Sequence, residues 1–379
     1  MGGKHAGALR CALGRGEVIH QGDALTVLRT LPDESVQMCV TSPPYWGLRD
    51  YGVPGQLGLE KTPAEYVAGM VAVFEEVRRV LKDDGVLWLN LGDSYAATSK
   101  GSGGKTNSTL NAKRDANGDL ADDRKSQPWM AQPRRFSLDD CGIKPKDLIG
   151  IPWRVAFALQ EAGWYLRCDI IWSKPNPMPE SVTDRPTRAH EYVFLLTKRA
   201  RYFYDADAIR EDAATGTARL SSVTPDAVRS DARKSDRSGA NGRNVQSVNA
   251  ESERRDSVGC AFNNNPRLRV TDGKRNARDV WTITPEPFAE AHFATMPPEL
   301  ARRCILAGSR KGDVVLDPFG GAATTALVAL QHGRRALLCE LNPEYVEIQR
   351  RRLADFAADT SSPVRVEAPE WGALFGGAK

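Results

Sequence analysis

The sequence predicts an α/β fold, a mostly parallel sheet flanked by helices and interrupted by polar insertions. Three observations carry this. Apolar runs of strand length alternate with segments of helical apolar spacing up to about residue 95, and the same alternation returns after residue 280. Elsewhere, two long stretches hold almost no large apolar residues.

The elements follow in order. EVIHQGD reads as a short strand ending at Asp23, ALTVLRTLP as a helical turn, and SVQMCVTSPPYW as a buried strand running into a Pro-Pro turn. AEYVAGMVAVFEEVRRVLKDDG has apolar residues at helical spacing and is expected to stop at Gly85, after which VLWLNLGD is a strand. Residues 17–95 thus form one half of a domain. Residues 96–140 cannot build much core and are expected as a mobile loop or lid. Residues 141–209 continue the domain, with a helix inside DLIGIPWRVAFALQEAGW and strands in YLRCDIIWSK and EYVFLLTK.

Residues 210–279 form the second insertion, with 14 Lys or Arg against 10 Asp or Glu and one aromatic, Phe262. That surplus equals the net charge of the whole chain, +4. It reads either as a solvated linker or as a basic arm that orders on a phosphate backbone. In residues 280–358, PPELARRCILAGS is a helix, DVVLDPFGG a strand entering a glycine turn, and AATTALVALQHG a helix closed by Gly333. RALLCELN is a strand ending at Glu340, YVEIQRRRLADFAAD a helix, and 359–379 a C-terminal tail. The chain has no internal repeat.

Composition narrows the class. With 379 residues, 41% hydrophobic and 26% charged, the chain is not collagen, a coiled coil or fully disordered. No apolar run reaches the ~18 residues that span a bilayer, so a soluble, cytoplasmic protein without a membrane partner is expected. The seven cysteines never form CxxC, which disfavours zinc ribbons and disulfide frameworks. Five histidines without a spaced cluster give no metal site. Gly104-Lys105-Thr106 is not a phosphate loop, because Ser99 stands where the earlier glycine belongs. His190-Glu191 is not a zinc-protease motif, because Phe194 replaces the second histidine.

Two motifs carry chemistry. In the first, an apolar strand delivers Asp317 to its carboxyl end, Gly320 and Gly321 permit close backbone approach, and the next strand ends in Glu340. That layout suits a nucleoside cofactor, with Glu340 accepting from ribose hydroxyls. It is not GxGxxG, so a nicotinamide dinucleotide is the weaker reading. In the second, Thr41-Ser42-Pro43-Pro44-Tyr45-Trp46 follows the buried strand VQMCV. Two prolines stiffen the backbone and remove two N–H donors. A hydroxyl, rigid carbonyls and a ring are what an extruded base with an exocyclic amine requires.

Taken together, Ser-Pro-Pro-Tyr before Asp-Pro-Phe-Gly-Gly resembles the amino-DNA methyltransferases that use S-adenosylmethionine, in the arrangement where the catalytic motif precedes the cofactor motif. Gly22-Asp23, LWLNLGDSY, WSKPNPMP, HEYVFLLTK, HFATMPPELARRCI and GRRALLCELNPEYVEIQRRR extend the resemblance over most of the chain outside the insertions. It implies a Rossmann-like fold of the class I methyltransferase type with permuted motif order. It also implies that Asp317, Phe319, Gly321 and Thr324 line the cofactor pocket, that Glu340 holds the ribose, that Asp23 approaches the adenine, and that Phe293 and Thr295 close the pocket. One departure is Ala322-Ala323 where the family has a further glycine; Ala323 is acceptable there if its φ is negative.

The resemblance further implies the reaction. Ser42 and the Pro43 carbonyl would accept the two amine protons, Pro44 would hold the turn, and Tyr45 would stack on the flipped base. The chain has no Pro-Cys pair, which disfavours methylation at cytosine C5. Serine at the first motif position favours N4 of cytosine over N6 of adenine. Methyl transfer to RNA or a protein amide, and a DNA-binding protein without catalysis, are the remaining alternatives. Double-stranded DNA is the expected partner, with Arg254, Arg255, Arg267, Arg269, Lys274, Arg275 and Arg278 as phosphate or base contacts. A cognate restriction endonuclease is a second expected partner, and both monomer and homodimer remain open.

Overall fold

A computed structural model describes residues 9–12, 17–48, 50–96, 142–212, 273–286 and 295–358. The chain divides into two units, Met1–Ile209 with Arg278–Lys379, and Arg210–Ala277. In the larger unit the strands are β1 (Leu9–Ala12), β2 (Glu17–Gln21), β3 (Val36–Thr41), β4 (Leu81–Leu91), β5 (Tyr165–Ser173), β6 (His190–Thr197), β9 (Val280–Thr282), β10 (Val314–Asp317) and β11 (Arg335–Glu340). Its helices are α1 (Ala24–Leu28), α2 (Pro63–Val80), α3 (Ile151–Glu161), α4 (Pro298–Gly308), α5 (Thr324–Gln331) and α6 (Pro343–Ala358). In the smaller unit, β7 (Glu211–Asp212) pairs antiparallel with β8 (Lys274–Arg275).

The nine strands of the larger unit form one sheet in the order β1-β2-β11-β10-β3-β4-β6-β5-β9. From β2 to β4 every neighbour is parallel, while β6 runs antiparallel to both β4 and β5. The sheet is buried on both faces because its strands alternate between two cores. Cys39, Leu87, Leu89, Leu316 and Leu337 meet α1, α2 and α3, whereas Met38, Val40, Val86, Trp88, Val315 and Leu338 meet α4, α5 and α6.

Local chemistry explains the helix starts. Thr62 caps α2, accepting from the Glu65 N–H at 3.2 Å, while Glu65 reaches back to the Lys61 N–H at 3.0 Å and Pro63 opens the first turn. The helix ends at Val80 rather than at Gly85. Leu81 already pairs with Val36 in the β3–β4 ladder, and the intervening irregularity absorbs Lys82–Asp84. Gly85 is needed there, because a Cβ would lie 2.9 Å from the Lys82 carbonyl and 3.0 Å from that of Gln37.

One topological feature places the site. From β3 the chain crosses through α2 to β4 on one side, and from β10 it crosses through α5 to β11 on the other, over the opposite face of the sheet. The adjacent carboxyl ends of β3 and β10 therefore flank a crevice that neither connection covers. That is where open parallel sheets bind ligands.

Candidate active site

A cavity of about 440 Å³ opens at this crevice. It is lined by Asp23 after β2, by Ser42, Pro43, Pro44 and Tyr45 after β3, by Asp317, Phe319, Gly320, Gly321 and Thr324 around the start of α5, and by Glu340 at the end of β11. Thr295 also lines it; Phe293 lies outside the described residues. The motifs read from opposite ends of the sequence share one space.

Asp317 is 4% exposed and fully engaged. Its Oδ1 accepts from Thr41 Oγ1 at 2.6 Å and from the Phe319 N–H at 3.1 Å, and its Oδ2 accepts from Thr325 Oγ1 at 2.7 Å. Burial pushes its carboxyl above the usual range, against the pull of these donors. Thr41 and Thr325 are site residues to which the motif reading gave no role. Thr324, which it did name, instead accepts from Arg352 Nη1 at 3.1 Å, as part of a brace from α6. In that brace Arg352 and Gln349 donate to the carbonyls of Ala322 and Gly321, at 2.7 and 2.9 Å.

Glu340 accepts from the Gly321 N–H at 2.8 Å through Oε2 and from the Asn342 N–H at 2.9 Å through Oε1. Burial outweighs both donors and pushes its carboxyl up to about 7. Asp23 caps α1, accepting from the Thr26 N–H at 2.9 Å and the Thr26 hydroxyl at 2.8 Å. The condition set for Ala323, a negative φ, is not met. The residue sits at +62°, in the left-handed region, and caps α5. A non-glycine residue there costs on the order of 1 kcal/mol, and its fully buried methyl packs in the core beneath.

Around Tyr45 the structure brings in residues with no sequence proximity. The Tyr45 hydroxyl donates to Glu191 Oε2 at 2.6 Å and accepts from Ser42 Oγ at 3.3 Å. Asn90 Nδ2 donates to the same Oε2 at 2.9 Å and to the Tyr192 carbonyl at 3.2 Å, while Lys174 Nζ pairs with Oε1. Burial, with the charge of Glu191 second, holds the Tyr45 hydroxyl well above the usual phenol range, so it stays protonated. Its ring lies against Gly92, where a Cβ would stand 2.5 Å from Cε2. The Pro44 carbonyl accepts from the Tyr66 hydroxyl at 2.8 Å, and Trp46 Nε1 donates to the Glu60 carbonyl at 3.0 Å. These bonds fix the Pro-Pro turn on α2 and the loop before it.

The basic residues fall elsewhere. Arg254, Arg255, Arg267 and Arg269 lie outside the described residues. In the smaller unit, Arg275 pairs with Glu211 at 3.3 Å and Lys274 with Asp212 at 3.7 Å. Arg278, in the larger unit, offers its carbonyl to Trp281 Nε1 at 2.8 Å. No described helix is long and apolar enough to cross a membrane.

The arrangement is a two-part pocket: buried carboxylates with glycine backbone on one side, and a hydroxyl on a rigid proline turn on the other. The chain is 44% identical over 338 residues to the type II methyltransferase M.Cfr9I of Citrobacter freundii, covering 89% of this chain and 88% of that protein. It is 42% identical over 332 residues to the type II methyltransferase M.SmaI of Serratia marcescens, covering 88% and 89%. In fold it is similar to the PvuII DNA methyltransferase (cytosine-N4-specific), with TM-score 0.52 at 18% identity, covering 90% of this chain and 91% of that one. Residues 36–351 match the DNA methylase family of the N6/N4 type, and the chain belongs to that family of methyltransferase enzymes.

Proposed function

We propose that this DNA methyltransferase transfers a methyl group from S-adenosylmethionine to the exocyclic N4 amine of cytosine in double-stranded DNA, after the base is flipped into the cavity. The observation that carries it is that Ser42 and the Asp317–Glu340 pair line one cavity at the sheet's switch point.

The residues fit the cofactor. Glu340 can accept from ribose hydroxyls, and Gly320 and Gly321 bring the backbone to the cavity wall. Asp317, held by Thr41 and Thr325, gives the pocket a fixed polar floor. When bound, the cofactor supplies an electrophilic methyl on a sulfonium.

The chain's own residues prepare the nucleophile. The lone pair of an aromatic amine is conjugated with its ring and attacks poorly. Ser42 Oγ and the Pro43 carbonyl accept hydrogen bonds from the two amine N–H groups, which turns the nitrogen toward tetrahedral geometry and aims the lone pair. The N–methyl bond forms as the sulfonium–methyl bond breaks to leave a thioether, and the methylated nitrogen then loses one proton to solvent. The Tyr66 bond to Pro44 keeps the turn from moving as the base enters. Serine at position 42, the first position of the Pro-Pro motif, resembles the cytosine-N4 enzymes more than the adenine-N6 ones, which supports cytosine as the target.

Recognition of the DNA site belongs to the basic insertion 210–279, with Arg254, Arg255, Arg267, Arg269, Lys274, Arg275 and Arg278 on phosphates or base edges. Its net positive charge supports this. A restriction endonuclease of the same site specificity is the expected companion, in keeping with similarity to type II enzymes. Deleting residues 215–275 is expected to abolish site selectivity while cofactor binding survives, and unchanged DNA affinity and selectivity would overturn the assignment.

The deciding experiment is nucleoside mass spectrometry on DNA from a methylation-free host expressing the chain, beside a Ser42→Ala control. N4-methylcytosine is the expected product. N6-methyladenine would overturn the cytosine assignment, and neither base, from protein that binds S-adenosylmethionine, would move the substrate to RNA or protein.

A further inference from the structure

We propose that Glu191 is a positioning residue of methyl transfer: it sets the direction of the hydrogen-bond chain through Tyr45 to Ser42, so that the lone pairs of Ser42 Oγ face the target amine. This rests on the reading above, in which Ser42 accepts a hydrogen bond from the amine.

A serine hydroxyl donates one hydrogen and accepts through two lone pairs, so its usefulness as an acceptor depends on where its hydrogen points. A Ser–Tyr pair alone leaves that undecided, because the tyrosine could equally donate to the serine and occupy a lone pair. Glu191 decides it. A carboxylate has no hydrogen to give, so Tyr45 must direct its single hydrogen to Oε2, at 2.6 Å. The Tyr45 oxygen can then only accept along the chain, and Ser42 Oγ donates to it at 3.3 Å. Both lone pairs of Ser42 are left for the cavity. The 3.3 Å separation is longer than a typical O–H···O bond, and such contacts commonly shorten when substrate closes the site.

The surroundings hold Glu191 to this role. Asn90 Nδ2 donates to the same Oε2 at 2.9 Å, and its second bond, to the Tyr192 carbonyl at 3.2 Å, fixes which way the amide faces. Lys174 supplies the counter-charge at Oε1 and lies 4.4 Å over the Trp172 ring. Strand register brings these together: Leu91 pairs with Tyr192 and Trp172 with Glu191, so β4 and β6 place Asn90 near Glu191, and Lys174 follows directly after β5. No covalent bond of the chain is made or broken in this role.

The test is a double-mutant cycle of Glu191→Gln and Tyr45→Phe in the full-length enzyme. Single-turnover methyl transfer, the cofactor Kd and the fluorescence of 2-aminopurine at the target position are read for each variant. A glutamine can donate to Tyr45 and reverse the chain, so Glu191→Gln is expected to slow transfer at least about tenfold, with cofactor Kd and base extrusion unchanged. In the Tyr45→Phe background the same substitution is expected to cost less than twofold further, because the chain is already broken. A Glu191→Gln rate within twofold of wild type would overturn the proposal, as would losses that multiply in the double variant. If Glu191→Gln does not fold, Tyr45→Phe keeps the Glu191–Lys174 pair and tests the same chain: a slowed rate with unchanged extrusion supports it, and an unchanged rate overturns it. The wild-type product checks the cytosine reading separately, since N6-methyladenine would overturn that reading while the coupling still decides the role of Glu191.

Discussion

Thr41 and Asp317, 276 residues apart in the chain, meet in a 2.6 Å buried hydrogen bond where β3 and β10 end side by side. This bond ties the strand that presents Ser42 to a carboxylate that lines the same cavity. Thr41→Val keeps the shape and removes the donor, leaving a buried carboxylate oxygen with one partner fewer. A loss of about 1–3 kcal/mol in urea unfolding of the ligand-free protein is expected, and an unchanged midpoint would show that the bond contributes nothing net.

Asp317→Ala removes the acceptor for both threonines and the Phe319 N–H at once. Calorimetric titration is expected to show no cofactor binding in this variant. Equal affinity would overturn the pocket assignment.

With the proposed ribose contact, Glu340 is expected to make cofactor affinity depend on pH. With its carboxyl pushed up to about 7, it is largely protonated at pH 6 and largely ionised at pH 8. The ionised form is the better acceptor for ribose hydroxyls, so binding is expected to tighten between pH 6 and 8 and level off above. Stability of the ligand-free protein runs the other way. The group's folded-state value lies above its unfolded one, so its contribution is most favourable at low pH and is lost as pH rises from about 4.5 to about 7. Glu340→Gln is expected to flatten both profiles, which titrations and thermal unfolding across this range would check.

Ser42→Ala is expected to lower methyl transfer by roughly one to three orders of magnitude, the usual cost of losing an oriented polar group at a reacting centre. Cofactor affinity should be unchanged, because no bond of Ser42 reaches Asp317 or Glu340. Single-turnover rates beside a binding isotherm separate the two effects.

Gly92→Ala tests the seat of Tyr45. The added methyl would stand 2.5 Å from Tyr45 Cε2 and 3.0 Å from Cδ2, so the ring must move. Transfer is expected to fall while cofactor binding holds, with stability lowered by about 1–3 kcal/mol for the forced shift. Wild-type turnover from this variant would show that the ring's position is immaterial.

The two halves of the pocket were legible in the sequence because each is local. Ser42 follows a strand and opens a proline turn, and Asp317 and Glu340 end apolar strands, so a few neighbouring residues announce each one. Thr325 was harder. It adjoins Thr324, but successive helix residues point about 100° apart, and which one faces Asp317 depends on the phase with which α5 starts at Ala323. Glu191, Asn90 and Lys174 stand in stretches that carry the resemblance, but their roles were not legible. Each is an ordinary polar residue in its own stretch, and only the antiparallel β4-β6-β5 pairing puts them beside Tyr45. His190-Glu191 drew attention for a zinc motif it does not complete, while its carboxylate serves the tyrosine. The ring of Tyr45, expected only to stack on the base, carries a hydroxyl already committed to that carboxylate.

The β3–β10 neighbourhood also has a consequence for biosynthesis. At roughly 5–20 residues per second, translation separates Thr41 from Asp317 by about 15 to 55 s. During that interval β3 can pair with β4 and the layer of α1 to α3 can form, but the edge that β10 will occupy stays open. A nascent or truncated chain therefore carries the amine-facing turn without the carboxylates that complete the pocket. The cavity is complete only when the last parallel strands dock, and the exposed edge of β3 is the place where a stalled chain would pair with a neighbour and aggregate.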